Sequence, residues 1–418
     1  MIENAVRFFL EQSLPSLIMM FWFPLVFEIP RYLVSFFVGT AIYLFFPVPV
    51  SRQPDFRKIS IIIAGHNESA SIKKCVTSLH EQTLKDLEII VVDDGSTDNM
   101  HEVLEELECA GLIHKGLRCE IRGGKSSALN LAKEMSSGDI VINVDCDCSF
   151  ERDAIAEIIK PFADPRIGAV SGNVLPRNAP ATMITTFQAI EYLFGITLGR
   201  QSAVLMGQTI IISGAFAAFR RTAWDAVNGF AIGPGEDFDI TLRLHQAGWR
   251  ISFAPSALCM TDVPETMPVL FRQRQRWERD SLRLQFRKHL REINPFKPQF
   301  SWGAVFSKLD FFLLGVLAAL VFPFYVLYLF ASHGGMAVTI LIASMLFSLF
   351  LDIITLFFAA LIAGRLRWLW LLAFLPGYAL FSAYVMRFVR AYAYINEWIF
   401  RPSEHDDFVP EKIRTWYE

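Results

Sequence analysis

The sequence predicts an α/β domain built on a mostly parallel sheet and embedded between apolar membrane helices. Between residues 51 and 266, short β-branched runs alternate with helical segments, which is the pattern of a parallel sheet. Long apolar blocks precede and follow this region. The 418-residue chain is also 53% hydrophobic, with a mean hydropathy of +0.36, which is too apolar for an ordinary soluble protein.

Charge and cysteine content narrow the class of protein. The formal net charge of −3 gives no reason to expect a nucleic-acid partner. None of the six cysteines belongs to a Cys-x-x-Cys pair, so we expect reduced thiols on the cytosolic side of a membrane. The opening residues Met-Ile-Glu-Asn lack a basic region and a small-residue cleavage site, so we do not expect a removable signal peptide.

Residues 1–50 predict N-terminal membrane helices. A span needs about 20 apolar residues. The segment 29–46 comes closest to that length, whereas 14–27 is either a second, shorter span or an interfacial helix. Residues 51–58 are polar and basic, as expected of a cytoplasmic flank.

The domain at 51–266 contains the strand and helix signals of the predicted sheet. Apolar runs at 59–64, 87–92 and 140–144 predict buried strands. The helical patterns at 69–82 and 99–109 follow the first two strands. Ligands of such sheets bind at the carboxyl ends of the strands, and each of these three strands ends in a polar or acidic motif.

The C-terminal part predicts an amphipathic stretch at 267–302, membrane helices within 303–400 and a polar tail at 401–418. Three apolar blocks make up the predicted helices, at about 306–331, 336–363 and 368–386. The loop after the first block is uncharged, whereas Arg365 and Arg367 follow the second. The positive-inside rule therefore places the first loop outside and the second inside, and whether the third block crosses stays open.

Polar motifs that suit a nucleotide follow the first strands. Glu68 closes the cluster Ala-Gly-His-Asn-Glu, which can contact a nucleoside or form a turn before a helix. Asp94 belongs to Asp-Asp-Gly-Ser, whose carboxylates can bind a base or ribose or can form an Asp-Gly turn. Lys125 follows two glycines without the full phosphate-loop spacing, so it can pair with a diphosphate or remain solvated, and no ATP site is inferred.

Asp145-Cys146-Asp147, at the end of the third strand, predicts a metal site. Two carboxylates two residues apart suit a hard divalent cation, so Mg²⁺ or Mn²⁺ could bridge them to nucleotide phosphates. Two aspartates at a buried edge would be costly without a counter-charge. Zinc held by Cys146 and Cys148 is the alternative, but further ligands at a recognisable spacing are missing.

Two later motifs could carry the chemistry of a transfer reaction. Glu236 and Asp237 open a helix, where acids commonly stabilise the helix dipole, but beside a metal and nucleotide one acid becomes a candidate general base. Gln273, Arg276 and Trp277 form the pattern Gln-x-x-Arg-Trp. Arginines recur in this region on one face of the predicted helix, at positions 272, 276, 279, 283 and 287. That face can meet phosphates, lipid headgroups or solvent.

In this order, the acidic motifs and Gln-x-x-Arg-Trp resemble the processive family 2 glycosyltransferases. These include the bacterial cellulose, hyaluronan, chitin-oligosaccharide and poly-N-acetylglucosamine synthases. The resemblance covers about 59–280 and continues in the membrane helices around it. The stretches at 166–173, 213–221 and 264–266 look most like the poly-β-1,6-N-acetylglucosamine synthases.

This resemblance implies a GT-A fold and an inverting, metal-dependent, processive transfer of a sugar from a UDP-sugar donor. The donor that fits the resemblance best is UDP-N-acetylglucosamine. The acceptor would be the non-reducing end of a growing β-linked polysaccharide, exported through the protein's own helices. It implies a multi-pass protein of the inner (plasma) membrane with a cytoplasmic catalytic domain, Mg²⁺ or Mn²⁺ as cofactor, and room for a small membrane accessory subunit.

The resemblance also implies a role for each motif residue. The catalytic base is Asp237. The nucleotide-binding residues are Glu68, Asp94 (to the uracil), Lys125, Asp145 and Arg276. The metal-binding residues are Asp145 and Asp147. The residues that line the diphosphate and acceptor end are Glu236, Gln273 and Trp277.

Departures from the family pattern leave alternatives open. Ala64 replaces the usual proline and His66 an aromatic, which loosens the nucleotide assignment, whereas Gly235 replaces a threonine without affecting the base. A cyclic-dinucleotide-binding domain is not visible. The donor could be UDP-glucose or UDP-glucuronate, or a single sugar could pass to a lipid phosphate. A non-catalytic membrane subunit that binds nucleotide or glycan is the alternative from another class. The linkage, the number of crossings and the oligomeric state are not predicted.

Overall fold

The computed structural model describes residues 7–45, 56, 58–208, 210–297 and 300–405. The opening residues 1–6, most of the predicted basic flank at 51–58 and the tail from 406 onward lie outside the described residues.

One eight-stranded mixed sheet forms the centre of the α/β domain. The strands are β1 (Ile59–Gly65), β2 (Leu87–Asp94), β3 (Lys115–Cys119), β4 (Ile140–Asp145), β5 (Ser149–Phe150), β6 (Ile167–Pro176), β7 (Phe216–Arg220) and β8 (Arg250–Thr261). Their order is β3-β2-β1-β4-β7-β6-β8-β5. The β1–β2, β2–β3, β1–β4 and β6–β8 pairs are parallel, whereas β7 runs antiparallel to both β4 and β6. The three strands predicted from apolar runs are confirmed, each a residue or two longer than expected.

The apolar β1 sequence is explained by burial on both of its faces. Ile61 and Ile63 pack in one hydrophobic core, and Ile62 packs in a second core on the opposite face. Because side chains alternate along a strand, a strand covered on both faces must be apolar throughout. Helices on the two sides of the sheet supply the cover, which makes this a layered α/β domain.

The helices of the N-terminal part and the domain are α1 (Leu14–Met20), α2 (Gly39–Phe45), α3 (Ser69–His80), α4 (Met100–Cys109), α5 (Lys125–Glu134), α6 (Ala154–Ile159), α7 (Met183–Tyr192), α8 (Arg200–Leu205), α9 (Arg221–Ala226), α10 (Glu236–Gln246) and α11 (Met267–Arg283). The C-terminal helices are α12 (Trp302–Asp310), α13 (Ala318–His333), α14 (Met336–Ile362), α15 (Leu375–Leu380) and α16 (Arg387–Phe400). Shorter helical segments with wider or tighter turns are Pro24–Glu28, Arg31–Val38, Lys160–Ala163, Leu193–Gly199, Leu284–Lys288, Leu290–Ile293, Phe311–Leu317, Leu366–Phe374, Phe381–Met386 and Pro402–His405.

Three continuous helical stretches of the described chain are long and apolar enough to cross a membrane: Trp302–His333, Met336–Ile362 and Leu366–Phe400. Near the N-terminus, Leu14–Met20 and Pro24–Leu33 form a pair bent by 73°. The break lies just before Pro24, because proline lacks an N–H and fits the first turn of a new helix. Glu28 stays within a helix, where it forms an ion pair with Arg387.

Strand register places the sequence motifs side by side at one edge of the sheet. Gly65 at the end of β1 pairs with Asp93 on β2, and Ala64 pairs with Asp145 on β4. The polar residues that follow these three strands therefore meet at the carboxyl ends of the parallel strands, as predicted.

The other end of the sheet gives a pH-dependent stability prediction. Glu88 on β2 accepts hydrogen bonds from Lys58 Nζ at 2.7 Å, Ser60 Oγ at 2.5 Å and Ser137 N at 2.8 Å. Burial opposes ionisation, but these bonds lower the pKa of Glu88 from 4.5 to about 2. Because the pKa of Glu88 is lower in the folded than in the unfolded protein, its ionised carboxylate stabilises the fold at pH values above 4.5. This stabilisation is lost as the pH falls from 4.5 towards 2.

We expect Glu88→Gln to lower the free energy of unfolding at pH 7 by about 1–3 kcal/mol, because charged hydrogen bonds are lost. The difference from the parent should shrink as the pH falls below 4.5. Denaturant unfolding across pH measures both effects. Glu120→Gln, at an exposed position after β3, is the matched control and should leave stability unchanged. An equal loss for Glu88→Gln at every pH would contradict the charge-based explanation.

Candidate active site

The Asp-Asp-Gly-Ser motif organises the loops around the site. The Asp94 carboxylate accepts hydrogen bonds from the Gly123 N–H at 2.7 Å and the Gly124 N–H at 2.8 Å. Gly95 has a φ of +68°, and a Cβ there would lie 2.7 Å from the Arg122 backbone nitrogen, so glycine is required. Asp94 thus holds the glycine loop that precedes Lys125, and its predicted contact with uracil stays a prediction.

The polar cluster that follows β1 supports the loop of the Asp-Asp-Gly-Ser motif, which follows β2. Asn67 has a φ of +60°, and its side-chain oxygen accepts the Thr97 N–H at 2.8 Å. Glu68 accepts a hydrogen bond from Ser71 Oγ at 2.8 Å. Burial raises the pKa of Glu68, and the nearby carboxylates of Asp147 and Asp145 add to the shift. Glu68 therefore lies within electrostatic reach of the predicted metal motif.

Lys125 joins three acidic and polar groups from different parts of the chain. Its Nζ lies 2.5 Å from Asp145 Oδ1 and 3.8 Å from Glu236 Oε1, and it donates to the Gly214 carbonyl at 3.1 Å. Although burial opposes the charged form, Asp145 and Glu236 hold the pKa of Lys125 above its ordinary value. This ammonium group is therefore the local counter-charge for the predicted metal and acceptor residues.

Asp147 is held by hydrogen bonds of its own. Its Oδ2 accepts a hydrogen bond from Thr261 Oγ1 at 3.1 Å, and its Oδ1 accepts a weaker one from Cys148 Sγ at 3.5 Å. Burial raises the pKa of Asp147, and the neighbouring Asp145 carboxylate raises it further. Two carboxylates that repel one another in this way suit a divalent cation.

Asp237 opens α10 and faces the same network. Its Oδ2 accepts the Gly214 N–H at 3.2 Å and its Oδ1 accepts the Phe238 N–H at 2.7 Å. Arg200, at the start of α8, lies close enough to interact electrostatically with Asp237. Burial lowers the pKa of Arg200 to about 10, so the side chain still carries its charge at neutral pH.

The Gln-x-x-Arg-Trp motif lies on α11, and the end of that helix packs against the start of α10. A Cβ at Gly235 would lie 3.2 Å from Asp280 Cβ, and Arg283 donates to the Pro234 carbonyl at 2.6 Å. Arg276 precedes Asp280 by one turn and Arg283 by two, so it shares the helix face that packs against the residues at the start of α10.

The buried arginine of this helix is Arg274, which is not part of the predicted stripe. It is only 2% exposed and forms an ion pair with Glu191 of α7 at 2.7 Å. Its guanidinium lies 4.2 Å from the centre of the Trp277 ring and also donates to Gln273 at 3.0 Å. Arg274 therefore fixes the indole that the motif presents.

The donor set fits magnesium or manganese better than zinc. Within the described ranges, three or more histidine, cysteine or carboxylate side chains do not come together as a ready metal cage. Cys146 and Cys148 are buried, and the Cys146 thiol points to the Ala64 carbonyl at 3.5 Å. Asp145 and Asp147 offer the hard oxygen ligands that Mg²⁺ and Mn²⁺ share with phosphates.

Comparison with known proteins agrees with this geometry. Residues 60–227 match the family described as "Glycosyl transferase family 2". The chain contains a family 2 glycosyltransferase domain. The match runs from β1 through β7 and includes the Asp-Asp-Gly-Ser and Asp-x-Asp motifs.

Named relatives of the glycosyltransferase are poly-β-1,6-N-acetyl-D-glucosamine synthases. The chain is 32% identical over 265 residues to the one from Staphylococcus aureus (strain COL) and 31% identical over 259 residues to the one from Staphylococcus epidermidis. Each match covers 59% of this chain and 62% of the relative, so the aligned part is less than two thirds of either relative's length.

A solved structure with the same fold is the mannosyltransferase from Pyrobaculum calidifontis in complex with GDP-Man and Mn²⁺. The superposition has a TM-score of 0.61 at 22% sequence identity and covers 88% of this chain and 97% of that one. The predicted GT-A fold, with its mixed sheet and apolar helices, is thereby confirmed.

The structure brings together most, but not all, of the predicted site residues. Four of them form one charged group: Lys125, Asp145, Glu236 and Asp237. Glu68 and Asp147 lie beside that group, whereas Gln273 and Trp277 are grouped around Arg274. Sequence analysis missed Arg200, Thr261 and Arg274, since isolated residues of these types carry no local signal.

The buried pair on the glycosyltransferase's motif helix can be tested directly. We expect Arg274→Gln to lower the free energy of unfolding by about 2 kcal/mol or more, because Glu191 would lose its charged partner. Glu191→Gln should cost a similar amount, and the double variant should cost less than the sum. Denaturant unfolding of the four proteins measures the coupling. Strict additivity would show that the two side chains do not depend on each other.

Proposed function

We propose that this protein is a membrane polysaccharide synthase that transfers sugar units processively from UDP-N-acetylglucosamine to the non-reducing end of a β-linked glycan. The observation that carries the proposal is the group formed by Lys125, Asp145, Glu236 and Asp237 at the carboxyl ends of the strands. It combines a phosphate-binding cation, a metal-binding acid and a candidate base in one place.

The choice of donor rests on the relatives. The two that are described above are named as poly-β-1,6-N-acetyl-D-glucosamine synthases. Their name supports N-acetylglucosamine as the sugar and a β-linked polymer as the product. UDP-glucose and UDP-glucuronate are the alternative donors.

Asp145 and Asp147 would hold Mg²⁺ or Mn²⁺, which when bound would neutralise charge on the leaving diphosphate. Thr261 Oγ1 orients Asp147 for this task through its 3.1 Å hydrogen bond. Lys125 now pairs with Asp145, and phosphate oxygens would compete for the same ammonium group. Arg276, on the helix face beside α10, would supply a second positive charge to the diphosphate.

Asp237 would accept the proton of the acceptor hydroxyl as that oxygen attacks the anomeric carbon. The N–H groups of Gly214 and Phe238 hold its carboxylate in place. Trp277, fixed by Arg274, would present a flat apolar face to a sugar ring of the acceptor. Attack from the side opposite the leaving group inverts the anomeric configuration.

A polar cavity among the apolar helices supports export of the product. Three serines, two acids and several tyrosines line it together with arginines. The polar lining includes Ser344, Ser348, Ser382, Asp352, Tyr325 and Tyr384. Hydroxyl groups and aromatic rings suit a glycan. The acids and arginines of the lining would be costly in a lipid-facing position. We therefore propose a multi-pass inner-membrane protein with its catalytic domain in the cytoplasm.

A donor screen tests the function. Purified protein with Mn²⁺ or Mg²⁺ should release UDP from UDP-N-acetylglucosamine and form long products, with Asp237→Asn as the blank. Release of UDP with addition of one sugar to a lipid phosphate would instead support the single-transfer enzyme. Binding of nucleotide or glycan without UDP release from any donor would support a non-catalytic subunit.

We expect Asp237→Asn to lower kcat by about 10²–10⁴-fold, because an amide cannot accept the hydroxyl proton. The KM for the donor should change little, since Asp237 meets the acceptor. Asp225→Asn on α9, which pairs with Lys133 away from the site, is the matched control and should keep full activity. A variant of Asp237 that elongated polymer at the parent rate would refute the assigned role.

Thr261 gives a test of the metal site. We expect Thr261→Val to raise the half-saturating Mn²⁺ concentration about 10-fold or more, because Asp147 loses the hydroxyl that orients it. Thr261→Ser keeps a hydroxyl and should retain near-parent affinity. Titration of UDP release with Mn²⁺ measures the effect, and equal behaviour of both variants would contradict it.

A further inference from the structure

The third apolar helix, Leu366–Phe400, differs in its contacts from the first two. A helix that crosses a membrane leaves the catalytic domain behind after its first turns. Leu366–Phe400 instead contacts the domain or its motif helix near its beginning, in its middle and near its end.

Its N-terminal end is held by an acid of the catalytic domain. Arg365, which immediately precedes the helix, forms an ion pair with Glu151 at 2.8 Å. Glu151 follows β5, close to the Asp-x-Asp motif. Arg367 lies 3.9 Å from the same carboxylate. The helix therefore starts on the catalytic side of the membrane.

Its middle packs on α7 and the helical segment that continues it. The ring centres of Phe381 and Phe187 are 5.2 Å apart, and those of Tyr378 and Phe194 are 5.7 Å apart. A Cβ at Gly377 would lie 2.9 Å from the Phe187 ring, so helix and domain are in close contact here.

Its C-terminal half runs beside the motif helix α11. Arg390 forms an ion pair with Glu278 at 3.1 Å, and the Tyr394 hydroxyl donates to the same carboxylate. Glu397 forms an ion pair with Arg287, which follows α11. Glu278 is the residue after Trp277, so this contact reaches the Gln-x-x-Arg-Trp motif itself.

One side of α16 forms polar contacts with protein, whereas the other side is largely exposed apart from the contact of the Phe388 ring with Phe322, with ring centres 6.2 Å apart. The residues that form polar contacts recur at spacings of three and four. Arg387 pairs with Glu28 of the N-terminal apolar helices, whereas Arg390, Tyr394 and Glu397 contact the motif helix or the segment that follows it. On the opposite side, large apolar side chains recur at the same spacings and are about half exposed or more: Phe388, Tyr392, Ile395 and Ile399. This is the pattern of a helix that lies in a membrane interface.

Length gives a further argument. A 35-residue helix at 1.5 Å per residue extends about 50 Å, whereas a bilayer's hydrocarbon core is about 30 Å thick. The arginines and the glutamate of α16 would also fall within a span that long, at a considerable cost. Lying along the membrane surface avoids both problems.

We propose that Leu366–Phe400 does not cross the bilayer but lies along the membrane-facing surface of the catalytic domain. Its exposed apolar face meets lipid, and its polar face holds the motif helix through Glu278. Within 302–400, the chain then crosses twice, through Trp302–His333 and Met336–Ile362. This proposal does not depend on the sugar or on the direction of transport.

Cysteine accessibility in sealed cells tests it. A membrane-impermeant maleimide is applied before and after permeabilisation, and labelled peptides are identified by mass spectrometry. Single substitutions Arg367→Cys and Arg401→Cys mark the two ends of the helix, and Ser332→Cys marks the loop between the two spans. The native exposed Cys109 marks the side of the catalytic domain in every sample.

We expect the thiols of R367C and R401C to react on the same side as Cys109, and the thiol of S332C to react on the other. Retained UDP release shows that each variant is folded. Two reporters, one active only in the cytoplasm and one active only outside it, are fused in turn after residue 418. They show on which side of the membrane the C-terminus lies without any change in the helix. Labelling of R367C and R401C on opposite sides of the membrane would overturn the proposal, whatever the enzyme's activity.

Discussion

The rest of the site depends on the contacts of the Lys125 ammonium group with acidic side chains and with the Gly214 carbonyl. Asp145, Glu236 and Asp237 come from a strand end and a distant helix start, and like charges so placed repel one another. The ammonium group contacts Asp145 and lies near Glu236, and its bond to the Gly214 carbonyl ties in the loop that also holds Asp237. One cation therefore keeps the predicted metal acid and the predicted base in a common cleft.

A chain of ion pairs connects the motif helix with the membrane-facing side of the protein. Arg274 pairs with Glu191 and stacks on Trp277, and Arg390 pairs with Glu278 and lies 3.9 Å from Glu191. The motif helix is thus held between the domain helix α7 and the apolar helix α16. Such an arrangement fixes the Trp277 indole, which we propose to bind the acceptor, on the side of the domain that faces the apolar helices.

Metal binding and proton transfer place different demands on the carboxylates, and the structure meets each locally. Asp147 is buried with a hydroxyl donor and a nearby acid, which suits a group that awaits a cation. Asp237 accepts hydrogen bonds from two backbone N–H groups and lies within electrostatic reach of Arg200, so its carboxylate is held in a fixed orientation. The two roles that we propose for aspartates therefore correspond to two different surroundings.

The sequence by itself determined the α/β class, the three buried strands, the apolar helices and the acidic motifs at strand ends. It could do so because strand burial and helix amphipathicity are periodic along the chain, and because ligands bind at the carboxyl edge of parallel strands. Only the tertiary structure decided that Asp94 holds the glycine loop and that Arg274, rather than the arginine stripe, supports Trp277. It alone also set the contacts of Leu366–Phe400 with the domain. These depend on partners distant in sequence, which hydropathy and local spacing cannot specify.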